Sequence, residues 1–291
     1  MHRLAAGLSW LIALIAFTTS ARDTTSLTDI LRRAGEYVRQ FGHESAVVIG
    51  EELYTQEVHR AGRRTAYREL RSEMMFVFVA ERQIWFGVRN VLAIKDGRGS
   101  WRAIPDAKSR LDGVLKDTTP GEESRLRKLA NEGARFNVGS THRNYNSPTL
   151  ALDFLDPVVQ SRFVFAEAGE ETLAGVNARK LQFTEVERPT LISINDSRDV
   201  PTSGWLWVLP SDGTVVRTHL DVKQPETARI AGMDASRVVD YQHDSKLGMW
   251  VPARMREEYV TRGSSYERID CVAAYSNFRR FETSGRVVAP K

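Results

Sequence analysis

The chain has 291 residues, 42% of them hydrophobic and 27% charged, with a formal net charge of +4. This balance excludes a disordered, collagenous or disulfide-rich chain. The small basic excess is interleaved with acidic residues throughout, which excludes the concentrated basic face that nucleic-acid binding needs.

Met1-His2-Arg3 is short and basic, Leu4 to Phe17 is nearly all apolar, and Thr19-Ser20-Ala21 supplies small residues ahead of polar Arg22-Asp23-Thr24. That is the layout of a secretory signal peptide, with cleavage near Ala21. The apolar run falls short of the ~20 residues that span a bilayer, so no stable membrane span is expected after cleavage. Residues 22–291 are then expected to work in the periplasm or outside the cell. They are long enough to bury a substantial core, and no Pro/Gly/Ser-rich linker divides them, so a single domain is expected.

Residues 26–41 read as an amphipathic helix. Leu27, Ile30, Leu31, Ala34, Tyr37, Val38 and Phe41 recur at spacings of three and four. Thr25 or Ser26 suits the cap, and Gly42 suits the stop. From about 45 to 95 the period falls to two. Gly50 is placed to bend the first strand. Met74, Phe76 and Phe78 point one way and Met75, Val77 and Val79 the other, so this strand is expected to be covered on both faces. Trp85 to Ile94 continues as strand, and Asp96-Gly97 signals a turn.

Residues 104–156 form a helical insert. Asp106 to Leu115 is a short helical pattern, and Thr119-Pro120-Gly121-Glu122 combines a hydroxyl cap, a proline and a glutamate at helix-start spacing. Ser147-Pro148 repeats the device ahead of Leu150, Ala151, Phe154 and Leu155, and Pro157 ends that helix. From 160 onward strands return: 162–165, Leu181 with Phe183, the hairpin 205–222, then 251–256 and 268–275. Neighbouring strands joined by turns predict an antiparallel sheet.

Chemistry-bearing patterns are sparse. There is no Gly-x-Ser-x-Gly, His-Glu-x-x-His, P-loop or Gly-x-Gly-x-x-Gly after a strand. The mature histidines, His43, His59, His142, His219 and His243, are not spaced to share a metal, so no metal or cofactor is expected. Glu51-Glu52 and Glu257-Glu258 are adjacent strand residues that face opposite sides, which predicts solvated faces and no dyad within either pair, and leaves open the convergence of carboxylates from distant strands. Cys271, the sole cysteine, lies on the apolar phase of a strand and reads as a small buried hydrophobe. The polar loop Ser140-Thr141-His142-Arg143-Asn144-Tyr145-Asn146 is the best candidate for a functional segment. No catalytic residue is assigned.

The element order, with the hairpin Gly204-Trp205-Leu206-Trp207-Val208-Leu209-Pro210-Ser211-Asp212-Gly213-Thr214-Val215-Val216-Arg217 and the strand entry Leu247-Gly248-Met249-Trp250-Val251-Pro252, resembles the periplasmic lipoprotein-carrier (LolA-like) half-barrel superfamily and its anti-sigma-regulator relatives. The loop Asn144 to Leu150 is similar to that of a group of secreted bacterial proteins with the same helix order. The resemblance implies an α+β, mainly β fold. Its centre is a curved antiparallel sheet, an incomplete β-barrel, with an N-terminal helix and mid-chain plug helices. It implies a non-enzymatic protein that binds a lipid, an acyl chain or a lipidated protein in the concavity. Phe76, Phe78, Trp85, Phe163, Phe165, Trp205 and Trp207 are the residues expected to line it, unless the helices fill the hollow. The alternatives are an envelope interaction or sensor protein that uses the sheet surface and, with least support, a hydrolase of envelope polymers.

Overall fold

The computed structural model describes residues 25–46, 48–79, 84–109, 128, 131–141, 143, 147–194, 198–226, 231–263 and 266–280. The leader pattern, the Thr119-Pro120 helix start, and His142 with Asn144 to Asn146 of the polar loop lie outside them, as do the side chains of Phe78 and Trp85.

The chain opens with α1 (Leu27–Ser45). Ser26 caps it, its hydroxyl oxygen accepting from the Asp29 N–H at 3.1 Å. Ile30, Ala34, Val38 and Phe41 are buried, which is the stripe the spacing predicts. Gly42 does not stop the helix. The chain runs three residues further, and the Gly42 carbonyl accepts from Ala46 N–H at 3.2 Å.

The strands are β1 (Val48–Arg60), β2 (Arg63–Val79), β3 (Ile84–Asp96), β4 (Arg102–Ala103), β5 (Phe163–Leu173), β6 (Val176–Glu185), β7 (Ser193–Ile194), β8 (Arg198–Asp199), β9 (Thr202–Val208), β10 (Val215–Gln224), β11 (Met233–Asp244), β12 (Met249–Thr261) and β13 (Glu267–Arg280). Eleven of them form one sheet in the order β4-β3-β2-β1-β13-β12-β11-β10-β9-β6-β5. The pairing is antiparallel throughout. β7 and β8 make a separate ribbon. The β1–β13 pair joins the first strands to the last, so the sheet needs both ends of the described chain.

The sheet is open and strongly curved. Ser147 packs on Gly87 of β3, where any side chain would collide with it. The Ser147 carbonyl also accepts from Arg237 of β11 at 3.3 Å, although four strands lie between β3 and β11. Register shifts at Ile49/Glu51, Arg71/Ser72, Asp240/Tyr241 and Val215/Arg217 supply bulges that bend the strands. The first of these falls on Gly50, as its position predicts. The open edge β5 carries exposed Glu167, Glu170 and Glu171, which discourages pairing with another chain.

One apolar cluster fills the inner face of the curve. It joins α1, the 3-10 helix Leu150–Leu155, and inward residues of nearly every long strand, among them Tyr54, Leu70, Met74, Phe76, Leu181, Leu206, Met255 and Ile269. Ile49, Met75 and Val88 are buried as well. They stand opposite one another in the register and out of phase with Met74, so β2 is covered on both faces here, as predicted. Among the described residues no helix is long and apolar enough to cross a membrane.

Candidate functional site on the inner face

The inner face is not apolar throughout. Period two along β1 sends Glu52, Tyr54, Gln56 and Val58 inward, and all four are buried. Arg89 of β3 grips Glu52 with Nε and Nη2 at 2.5 and 2.8 Å, and its guanidinium lies 4.0 Å from the Tyr54 ring centroid. Tyr54 OH donates to Glu257 of β12 at 2.9 Å. Glu257 also accepts from Arg237 Nε at 2.9 Å and from Tyr259 OH at 2.7 Å. The result is a buried ionic network that runs across β3, β1, β12 and β11.

This environment sets the ionisation. Burial by itself would raise the Glu257 carboxyl, but Arg237, Arg89 and the hydroxyls of Tyr259 and Tyr54 hold it below its ordinary 4.5. Glu257 is therefore a fixed anion and a poor proton donor at neutral pH. Burial also opposes the charge on Arg89, yet Glu52 keeps it firmly protonated. Burial pushes the Cys271 thiol up to about 12, with Glu257 adding to it. A thiol so raised is a packing group and not a nucleophile.

The second role of these polar side chains is to anchor a strap. The described parts of residues 131–149 cross the inner face with little regular structure beyond the helical turn at 131–134. Their backbone groups are met by sheet side chains. The Phe136 carbonyl accepts from Gln56 Nε2 at 3.4 Å and Arg68 Nη1 at 3.2 Å. Val138 N–H and Arg143 Nη2 donate to Gln56 Oε1 at 3.1 and 2.5 Å. Ser140 donates twice to Glu267 of β13, through its N–H at 2.7 Å and its hydroxyl at 2.8 Å. Tyr241 OH donates to the Pro148 carbonyl at 2.7 Å. A buried irregular segment needs such partners because it has no ladder of its own. The polar loop singled out in the sequence is thus part of the cover, and its described members Ser140, Thr141 and Arg143 point to the sheet.

The predicted lining residues divide. Phe76 is buried in the inner cluster. Phe163 stacks on Phe154 at 4.8 Å and meets Phe183 edge-on at 5.9 Å, with Phe165 beside it at 6.1 Å. Phe78 and Trp85 are opposite one another in the β2–β3 register. Trp205 and Trp207 do not face the hollow. Leu206 and Val208 take the inner phase of β9, which turns both tryptophans outward. There Trp207 packs on Ala178 and Val216 and donates Nε1–H to Glu171 at 2.7 Å. Lys180 lies 5.4 Å from the Trp205 ring centroid and 5.0 Å from that of Trp207.

Each carboxylate doublet splits across the sheet as expected, but only one member of each is solvated. Glu51 and Glu258 face outward as expected, but Glu52 and Glu257 are buried and meet in one network. Strand phase marks both as inward, Glu52 with Tyr54 and Val58 and Glu257 with Met255 and Tyr259, but their partners are on distant strands that no local pattern names. On the outer face His219 Nε2 contacts both Asp221 at 3.1 Å and Ser236 at 2.9 Å. One nitrogen serves both, so the trio is not a relay of the serine-hydrolase kind. Among the described residues no group of three or more His, Cys, Asp or Glu is placed to hold a metal ion.

No protein-family model and no curated protein matches the chain. Solved structures similar to it include a DUF1329 family protein from Desulfovibrio piger, at 13% identity over 87% of this chain and 93% of that one, TM-score 0.36. A putative outer membrane lipoprotein-sorting protein domain from Vibrio parahaemolyticus is similar at 11% identity over 87% and 95%, TM-score 0.34. Lipoprotein LppX of Mycobacterium tuberculosis is similar at 9% identity over 87% and 96%, TM-score 0.28. At these scores the fold stands on the strand order and curvature described above.

Proposed function

We propose that this chain is a non-enzymatic, exported binding protein that takes an apolar ligand between the inner face of its curved sheet and the strap. The ligand class is a lipid, an acyl chain or a lipidated protein. In this reading residues 1–21 are removed and residues 22–291 act as one domain in the periplasm or outside the cell.

The observation that carries it is the contrast between the floor and its cover. The floor is an apolar wall held by sheet ladders and interrupted by the buried network of Glu52, Arg89, Tyr54, Glu257 and Arg237. The cover is an irregular strap held by side-chain contacts from Gln56, Arg68, Glu267, Arg237 and Tyr241. Lifting such a cover breaks no strand pairing and exposes apolar wall, where hydrocarbon gains about 25 cal/mol per Å2 removed from water. Phe76, Phe163 and Phe165 are the inner residues we assign to ligand contact, and we keep Phe78 and Trp85, paired by register on β2 and β3, as further candidates.

A second reading has its own observation. Trp205, Trp207 and Trp250 with Leu173, Val176 and Leu209 form a smaller apolar cluster on the outer face. An envelope interaction or sensor protein would use that surface and take no small ligand. Titration of the mature protein with a fluorescent long-chain acyl probe separates the two. Saturable binding that weakens severalfold in Phe165→Ala and is unchanged in Trp205→Ala supports the first reading. Absence of probe uptake removes it.

A further inference from the structure

Two polar atoms inside the inner face have no partner among the described residues. Arg89 commits Nε and Nη2 to the carboxylate of Glu52, while its Nη1 is buried without a hydrogen bond. The Ser72 hydroxyl, 2% exposed, is in the same condition. The two are neighbours by register. Ser72 of β2 lies opposite Glu52 of β1, and Met74, two residues on, lies opposite Arg89 of β3. Ser72, Met74 and Arg89 therefore share the inner face. A buried N–H without an acceptor is costly enough that native proteins rarely leave one.

The chemistry of the missing acceptor follows from the charges present. Glu52 already compensates the Arg89 guanidinium through two hydrogen bonds. A second carboxylate or a phosphate would meet the Glu52 carboxylate in a low-dielectric interior and be repelled. An uncharged acceptor meets no such repulsion. A carbonyl oxygen has two lone pairs, which matches one guanidinium N–H and one hydroxyl. Beyond Ser72 the inner phase of β2 continues with Met74 and Phe76, both buried, and these give a hydrocarbon chain an apolar path that leads away from Arg89.

We propose that Arg89 Nη1 and Ser72 Oγ form a headgroup site for the carbonyl oxygen of an acyl ester or amide, with the hydrocarbon laid along Met74 and Phe76. The proposal rests on the apolar-ligand reading above and adds the chemistry of the head and the direction of the chain.

The test is competition against a fluorescent acyl probe on the delipidated, full mature protein. The competitors are methyl decanoate, decyl methyl ether and the decanoate anion, which share a chain and differ at the head. The ester is expected to displace the probe about tenfold better than the ether, a difference of about 1.4 kcal/mol, and better than the anion. The ester-to-ether ratio is expected to fall toward one in Ser72→Ala. It is expected to fall likewise in the double variant Glu52→Met with Arg89→Met, which replaces the ion pair as a unit so that no lone charge is left buried. Thermal unfolding of each variant verifies the fold. Equal displacement by ester and ether, strongest displacement by the anion, or a ratio that survives in both variants overturns the headgroup site and leaves the apolar-ligand reading standing. Failure of the protein to take up any acyl probe overturns both.

Discussion

Glu257 shows how much of this interior depends on single residues. It accepts from Tyr54, Tyr259 and Arg237 at once. Replacing Arg237 by alanine leaves that carboxylate buried without its cation, and urea unfolding is expected to show a loss of about 3–5 kcal/mol. The pH dependence has a definite sign. The folded pKa of Glu257 lies below 4.5, so its contribution is complete above 4.5 and is lost as pH falls through the folded value. Glu267, lowered against its burial by Ser140 and Arg60, acts in the same direction. The stability gap between the natural protein and Glu257→Gln is therefore expected to be widest near neutrality and to narrow below pH 4.5 in denaturation curves taken at stepped pH. A gap that is constant across this range contradicts the assignment. Cys271 was legible from the sequence, because strand phase alone places it inside. The same phase turns Glu52 and Glu257 inward, but their pairing was not legible, because Tyr54 and Glu257 meet across 203 residues of chain and only the curved sheet brings them together.

At the scale of elements, the strap and α1 are held in different ways. α1 buries an apolar stripe and rests its backbone on the β9–β10 turn. Gly213 has φ +78° there, and its Cα faces the backbone of Arg33 and Ala34 so closely that a Cβ would overlap them. Gly213→Val is expected to cost at least about 1–3 kcal/mol from backbone strain alone, measured as a drop in unfolding midpoint. The strap depends on side chains. Truncating Gln56 removes the acceptor of Val138 N–H, so hydrogen exchange at Val138 is expected to speed severalfold in Gln56→Ala while exchange in β13 stays near its natural rate. Equal acceleration in both would mean that the strap opens only with the whole sheet. The helix stripe, the strand periods, the Gly50 bulge and the 150–155 helical turn could all be read in advance because each is a local pattern. The outward turn of Trp205 and Trp207 could also have been read. Leu206 and Val208 alternate with them, and only one of the two sets can face the core. The strap's anchors had no such signal, since Gln56, Glu267 and Arg237 look like ordinary polar strand residues until the curve closes over them.

For the molecule as a whole, the first strands and the last share the β1–β13 seam, and the inner face between them is lined, crossed and sealed by segments from three separate parts of the chain. The curve itself follows from bulges and from the plug it wraps, which alternation in the sequence implies only in outline. What the shape is for rests on the cover being able to part from the floor. Native mass spectrometry of the mature protein, purified from its producing cells without detergent, tests this most directly. One co-purifying acyl-chain ligand per chain, released by mild activation and identified as an ester or amide, is the predicted result. Spectra of ligand-free protein alone, together with no uptake after incubation with long-chain lipid, would contradict the account.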